Sequence, residues 1–380
     1  VTDTGGLRIA MIGSRGVGSH YGGIERMLDA LCPELAALGH SVDVYSRPDV
    51  VFDNFPGVTA IRTRALVGKH LENISRSLHA LVRAMGRYDV VHFHAIGPGI
   101  LSTATRLFGQ KSLVTIHGLD HQRAKWGGFA KKCLSLAERT LVANADGISV
   151  VSENLRSYFE ETYATATAFV PNGMPRPAKV APGRMMAEYG IVPGRYLLFA
   201  SRLTPEKGCH DLIEAFNALD TDMKLVVAGG SGSPDYIAAL KTASVPDRVV
   251  FVGHRTGDAL AELFSNAYAF ILPSYLEGMS MALLEAAGYG LPALASDIEE
   301  NRAVLNDTGF YFPPRDLPAL RATLERLIAQ PATVAAMASR LETVSRPGWA
   351  DVAARYDRLY HAVVADKGSA AAWAALAAQR

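Results

Sequence analysis

The chain has 380 residues, of which 49% are hydrophobic and 20% charged, and its net charge is +1. That length accommodates two domains with separate cores, and the near-neutral balance argues against a nucleic-acid binder. Three cysteines, Cys32, Cys133 and Cys209, lie far apart and are odd in number, which speaks against a disulfide framework and suits a reducing cytosol. The polar start before Leu7 predicts no signal peptide. The absence of a run of about twenty apolar residues predicts no spanning helix.

In chain order, Leu7–Ile12 is the first apolar run, and it ends in a glycine-rich turn, Gly13-Ser14-Arg15-Gly16-Val17-Gly18. A helical period follows from Ile24 to Leu38, with Leu28, Leu31, Leu35 and Leu38 on one stripe and Gly39 closing it. Ser41–Tyr45, Val90–His94, Ser112–Ile116 and Gly147–Val151 read as further strands with helical segments between them. Met174–Pro182, rich in proline, reads as a linker. The pattern then restarts, with strands expected at Arg195–Ala200, Met223–Ala228, Arg248–Val252, Ala269–Leu272 and Pro292–Ala295. Short, continuous apolar strands alternating with helices mean parallel sheets covered on both faces. The fold class is therefore α/β, with two doubly wound, Rossmann-like domains. Such sheets bind ligands at the carboxyl ends of their strands, so the site is expected in a cleft between the two.

The most informative segment is PSYLEGMSMALLEAAGYGLP, from Pro273 to Pro292. A helix starting near Ser280 offers free N–H groups and a positive dipole end, an anion site suited to a diphosphate. Glu285 sits about one and a half turns into that helix, among apolar neighbours where an unpaired carboxylate is costly. It could chelate vicinal hydroxyls, and Glu277 in the loop could bind sugar hydroxyls. The plainer alternative is a helix-capping Glu277 and a solvated Glu285. In SRLTPEKG, Arg202 and Lys207 place two cations on one strand-to-helix loop. A diphosphate leaving group needs such neutralisation, although either cation could simply pair with Glu206. Gly22 and Gly23 open a helix and let a phosphate or sugar approach the backbone. This turn lacks both the dinucleotide and the P-loop spacing. His92 and His94 share a strand face, and His117 and His121 could meet across one helical turn. Zinc is conceivable there but lacks a supporting ligand set. Asp220-Thr221-Asp222 precedes a strand and reads as a polar turn.

Together these residues resemble the family-4 retaining glycosyltransferases of bacterial polysaccharide and glycolipid assembly. YGGIERMLDALCPELAALGHSVDVYS, VVHFHAIGP, TIHGLDHQRAKWGG and VPNGM carry the N-terminal part of the resemblance. It spans nearly the whole chain and implies the two-domain GT-B fold. The domains would be 1–173 on the acceptor side, a linker at 174–182, 183–345 on the donor side, and C-terminal helices at 346–380 packing back on the N-terminal domain. It implies a nucleotide-diphosphate sugar donor, no metal and no cofactor. Arg202 and Lys207 would hold the diphosphate, Glu285 the ribose and Glu277 the donor sugar. His117 would touch that sugar near the reacting centre. Gly22 and Gly23 would line the phosphates, joined on the donor side by Gly278, Met279 and Ser280, and the turn at Gly253-His254 would take the base. Tyr21, His94, Asp120, Arg123, Lys125 and Trp126 would lie on the acceptor side. One departure is SDIEEN, where many relatives have glycine or proline in place of Glu299; it leaves the wall near Asn301 open. In the family the donor's own phosphate oxygen is thought to take the acceptor proton, so no protein base is assigned.

Rival readings are a sugar-nucleotide 2-epimerase of the same fold, a nicotinamide-dependent dehydrogenase, and a non-catalytic nucleotide-sugar-binding protein. The missing dinucleotide fingerprint weakens the dehydrogenase, and the retained cleft charges weaken the scaffold. Residues 1–172 carry 18 Lys and Arg against 15 Asp and Glu, and cations cluster from Arg62 to Arg87 and from Arg123 to Lys132. With the resemblance, this predicts a glycan or polyprenyl-diphosphate-linked acceptor. It also predicts a cytoplasmic protein held peripherally on an anionic inner membrane face.

Overall fold

The computed structural model describes residues 5–19, 22–50, 55–65, 72–119, 121, 127–230, 232–343 and 346–365. The chain divides into two compact units, Val1–Gly173 with Pro347–Arg380, and Met174–Arg346. Among the described residues the first unit holds strands β1 (Arg8–Ile12), β2 (Ser41–Ser46), β3 (Val58–Arg62), β4 (Val90–His94), β5 (Lys111–Ile116), β6 (Gly147–Val150) and β7 (Ala168–Phe169). They form one sheet in the order β3-β2-β1-β4-β5-β6-β7, with every pair parallel. The second unit holds β8 (Tyr196–Ala200), β9 (Lys224–Ala228), β10 (Val249–Gly253), β11 (Ala269–Leu272), β12 (Ala293–Ser296) and β13 (Gly309–Phe312). Their order is β10-β9-β8-β11-β12-β13, again all parallel.

Each sheet therefore reverses its winding once, between β1 and β4 in the first unit and between β8 and β11 in the second. Loops leaving neighbouring strands at such a point diverge to opposite faces and open a crevice at the carboxyl edge. This strand order brings the loop after β8 beside the loop after β11, although about seventy residues separate them in sequence.

The central strands β4, β8, β11 and β12 are buried at every position, which explains their continuous apolar runs. The strands not foreseen, β3, β7 and β13, are edge or short strands with intermittent burial. One face of such a strand meets solvent, so its apolar signal is broken. In the second unit Tyr196, Phe199, Phe216, Phe264 and Phe270 are fully enclosed, each contributing on the order of 1.5–3 kcal/mol by leaving water. The helix Gly23–Ala37 buries Leu28, Leu31 and Leu35. Leu38, expected on the same stripe, lies past the helix end and is 48% exposed. Gly39 does adopt the left-handed φ of +94° that a helix end favours.

Residues 174–182 form no helix or strand, yet they are tied down. Ser265 Oγ accepts from the Val180 amide at 2.9 Å, and Asn266 Nδ2 donates to the Val180 carbonyl at 2.9 Å. The helix Trp349–Val364 returns to the first unit, against the helix Gly23–Ala37 and strands β4 and β5.

Candidate functional site

In the second unit, the loop after β8 runs through a turn at Pro205–Lys207 and ends at Gly208, with φ +67°. A Cβ on Gly208 would lie 2.1 Å from the Pro273 carbonyl oxygen, so only glycine lets this loop press onto the chain leaving β11. The Tyr275 amide donates to the Glu206 carbonyl at 2.9 Å and joins the two loops. In that setting Lys207 Nζ donates to Glu277 Oε1 at 2.6 Å, with both side chains largely buried. The sequence alternative of pairing with Glu206 goes to the other cation: Arg202 reaches Glu206 at 3.9 Å and stays half-exposed. Burial pushes the Glu206 carboxyl up. Hydrogen bonding from its own backbone, with the charges of Arg202 and Lys207, outweighs this and leaves it below its ordinary value.

Gly278 and Met279 are half-buried in the same loop. Ser280 caps the helix Met281–Gly288, its Oγ accepting from the Leu283 amide at 3.3 Å. Leu283, Leu284, Ala286 and Ala287 of that helix are buried, whereas Glu285 remains partly open to solvent. The apolar setting expected for Glu285 thus belongs to its sequence neighbours. Glu299 is exposed at the start of the helix Glu299–Leu305, while Asn301 is buried. Asn301 Nδ2 donates to the Ser296 carbonyl and hydroxyl, each at 3.0 Å, and Ser296 Oγ donates to the Ser274 carbonyl. The SDIEEN segment therefore braces the start of the Glu277 loop from within. Gly253 closes β10 with φ +73°, and His254 after it is exposed. The Asp220–Asp222 pair lies in the turn before β9, where Asp222 pairs with Arg195.

In the first unit, His94 ends β4 and His117 follows β5, and because these strands are neighbours their rings meet. His94 Nδ1 lies 3.2 Å from His117 Nε2. The expected pairing of His117 with His121 gives way to this one, since His121 Nδ1 sits 3.4 Å from Glu138 Oε2 instead. Glu138 is fully buried and takes the hydroxyls of Tyr158 and Tyr163 on Oε1, both at 2.7 Å. Burial, then the carboxylate beside it, pushes the Tyr158 hydroxyl up. Sequence reasoning missed this carboxylate, because Glu138 looks like any helix-surface residue until the helix Glu153–Tyr163 brings its tyrosines across. Among the described residues, no group of three or more His, Cys, Asp or Glu side chains is placed to hold a metal ion.

Gly22 caps the helix Gly23–Ala37 with an extended φ of −149°, a conformation open to any residue. What singles it out is space, since a Cβ would lie 2.9 Å from Glu25 Oε2. Glu25 is buried, and its Oε1 accepts from the Arg15 amide at 2.9 Å. Asp29 Oδ1 accepts from the Gly18 amide at 2.6 Å. Carboxylates of the chain thus already take two amides of the glycine-rich turn. Gly23 is exposed. Tyr21, Asp120, Arg123, Lys125 and Trp126 lie outside the described residues. Arg76, counted among the surface cations, is only 5% exposed: its guanidinium bonds to Glu72 and Asn73 at 3.3 and 2.8 Å.

Two family models match the chain, Glycosyltransferase Family 4 over residues 21–175 and Glycosyl transferases group 1 over residues 185–343. The chain is similar to the D-rhamnosyltransferase WbpZ of Pseudomonas aeruginosa, 27% identical over 325 residues that cover 82% of this chain and 84% of that one. It is equally similar, at 27% identity, to a glycogen synthase of Mycobacterium tuberculosis, over 93% of this chain and 94% of that one. Among solved structures, the sucrose-phosphate synthase of Thermosynechococcus elongatus matches with a TM-score of 0.80 at 23% identity, covering 94% and 99% of the two chains. HepE of Anabaena, solved with UDP-glucose, matches with a TM-score of 0.75 at 16% identity, covering 94% and 100%.

Proposed function

The chain belongs to the GT-B glycosyltransferases, with a family-4 N-terminal half and a group-1 C-terminal half, and we propose that it moves a hexose from a nucleotide-diphosphate sugar to a glycan or polyprenyl-diphosphate-linked acceptor, with retention and without a metal. The observation that carries this reading is the buried Lys207–Glu277 pair where the loops after β8 and β11 meet. A buried ion pair is weak evidence for stability, because desolvation offsets its attraction. It is a good store of oriented charge. When a donor enters, Lys207 turns its charge to the diphosphate, and Glu277 accepts hydrogen bonds from the sugar hydroxyls.

Breaking the sugar–phosphate bond builds negative charge on the diphosphate and positive charge on the ring. Lys207, Arg202 and the amides at the Ser280 helix start stabilise the first. Glu285 holds the ribose, the Gly253-His254 turn the base, and Gly278 and Met279 line the pocket. His117 touches the sugar, and the acceptor proton goes to the leaving phosphate oxygen. The HepE structures with UDP and UDP-glucose support a nucleotide-sugar donor. A thermal-shift screen with UDP, GDP, ADP and dTDP tests the reading, since a ligand of the folded state raises its stability. One nucleotide should stand out, and its sugar conjugate should release the nucleotide when acceptor is added. A flat screen sinks the donor assignment; nucleotide sugar bound and converted to its C2 epimer would replace transfer with epimerisation.

The acceptor reading extends to a membrane. On the helix Glu72–Ala84, Ile74, Leu78 and Val82 are spaced four apart, share one face, and are 45%, 49% and 55% exposed. Arg83 and Arg87 are exposed at the end of the same segment. Arg83 also donates to the Arg62 carbonyl at 2.9 Å, and the Arg64 amide donates to His79 at 3.3 Å, which lays two further exposed arginines along the helix. An apolar stripe edged by cations suits an anionic bilayer surface. Among the described residues, no helix is long and apolar enough to cross a membrane. The enzyme would thus act at the cytoplasmic face, held peripherally.

A further inference from the structure

We propose that His94 is a positioning residue that fixes His117 as its Nδ1–H tautomer, and that the C-terminal helix Trp349–Val364 holds His94 in place through Tyr360 and His92. The inference rests on the reading of His117 as part of the site. His94 is fully buried at the end of β4, and its Nδ1 lies 3.2 Å from His117 Nε2. His92, two residues earlier on the same strand face, brings its ring to 4.2 Å from that of His94. Both nitrogens of His92 are committed, Nδ1 to the Tyr360 hydroxyl at 2.8 Å and Nε2 to Thr115 Oγ1 at 2.6 Å. Thr115 Oγ1 in turn meets Ser149 Oγ at 2.6 Å and the Tyr356 hydroxyl at 3.2 Å. One run of polar contacts therefore joins the helix at the end of the chain to β4, β5 and β6, and it leaves the His92 ring a single orientation against His94.

The tautomer follows from what His94 lacks. Its Nε2 is buried and meets no hydrogen-bond partner among the described residues. Burial holds both His92 and His94 neutral, His92 down to about 3, so His94 carries one proton. A buried N–H without an acceptor is rarer and costlier than a bare acceptor. The proton therefore sits on Nδ1 and is donated to His117 Nε2. His117 must accept there, and its own proton is on Nδ1. Which nitrogen of a histidine is protonated is set by the partner of the other, so His94 decides that His117 acts through Nδ1 as a donor.

Imidazole ¹⁵N spectra of the full chain labelled at histidine test this directly, with the His117 signals assigned by their loss in His117→Asn. The wild type should show His117 as Nδ1–H. His94→Leu should release it to a mixture of tautomers, and Tyr360→Phe should shift it part-way. His94→Asn, whose amide N–H can stand in for Nδ1–H, should keep it. Asp357→Asn is the control on the same helix: it cuts the contacts to His40 and His361, at 3.1 and 3.2 Å, and should leave His117 unchanged. In transfer assays with UDP-, GDP-, ADP- and dTDP-hexoses, His94→Leu should lower kcat by about tenfold, the scale of one lost hydrogen bond in a buried site, with donor KM within about twofold. His94→Asn should recover most of it. His117 found as Nε2–H in the wild type, or unmoved in His94→Leu, overturns the inference whatever the assays give. A His117→Ala enzyme of full activity would instead sink the site reading, which the spectra do not depend on.

Discussion

The carboxyl edges of the two sheets carry polar side chains of different kinds. In the first unit, at β4 and β5, they are imidazoles and hydroxyls in one run of ring and hydrogen-bond contacts, with His92 and His94 fully enclosed and neutral. In the second, at β8 and β11, they are charged, a lysine and a glutamate in contact, with an arginine and another glutamate nearby. Burial explains the difference. His92 and His94 lie inside the sheet, where a charge could not be solvated, so desolvation keeps them neutral. Lys207 and Glu277 sit on loops beyond the strand ends, where each is the counter-charge of the other. On the proposed reading, the neutral groups hold geometry and the charged ones meet a charge that develops during transfer.

Lys207→Ala breaks this comparison most severely. Turnover should fall by roughly a hundredfold or more, the scale of losing one transition-state charge partner. Stability should fall as well, by up to about 3–5 kcal/mol, because Glu277 is left buried and unpaired. Adding Glu277→Ala should restore stability but not turnover. Arg202→Ala should lose a similar factor in turnover while changing stability by less than about 1 kcal/mol, since its pair with Glu206 is long and half-exposed. If both folded single variants transfer sugar at near the wild-type rate, the diphosphate assignment is wrong.

Acid separates the units next. His92 is held down to about 3 when folded and returns to about 6.5 when unfolded. Between those values the unfolded chain binds the extra proton, so stability is complete above about pH 6.5 and lost as pH falls toward 3. His92 alone can account for up to about 1.4 kcal/mol per pH unit in that window. Trp349 opens the helix Trp349–Val364 of the first unit, so its fluorescence follows that unit's unfolding. Denaturation midpoints that stay level from pH 7.5 to 5 would show that the histidines are not neutral and buried.

A smaller effect concerns the exposed stripe. Replacing Ile74, Leu78 and Val82 together by serine should weaken flotation with anionic vesicles by about fivefold. Salt should weaken the wild type over the range that screens surface charge. Equal binding to neutral and anionic vesicles would leave a soluble acceptor as the better reading. The smallest expected effect is none: activity should survive EDTA, since Asp222 is engaged by Arg195 in an exposed turn. Loss on chelation with recovery by a divalent ion would redirect attention to the histidines or to Asp220 and Asp222.

Local sequence determined what depends on near neighbours. The apolar runs of β4, β8 and β11 announced strands enclosed on both faces, and the glycines and prolines after β8 and β11 announced loops. The helix at Met281–Gly288, expected to start near Ser280, was legible too, but its cap is Ser280 and not Glu277, the capping alternative. Tertiary structure alone decided the partners. Lys207 meets Glu277 only because β8 lies beside β11, and His117 meets His94 only because β5 lies beside β4. Nothing in the spacing of 207 and 277 encodes that adjacency, nor the reach of Tyr360 across 268 residues to His92. Arg76 looked like a surface cation, and Glu138 looks like any solvated helix carboxylate, until other elements cover them. Periodicity records which side of an element is buried; which groups share that buried space depends on strand order and on a helix returning from the far end of the chain.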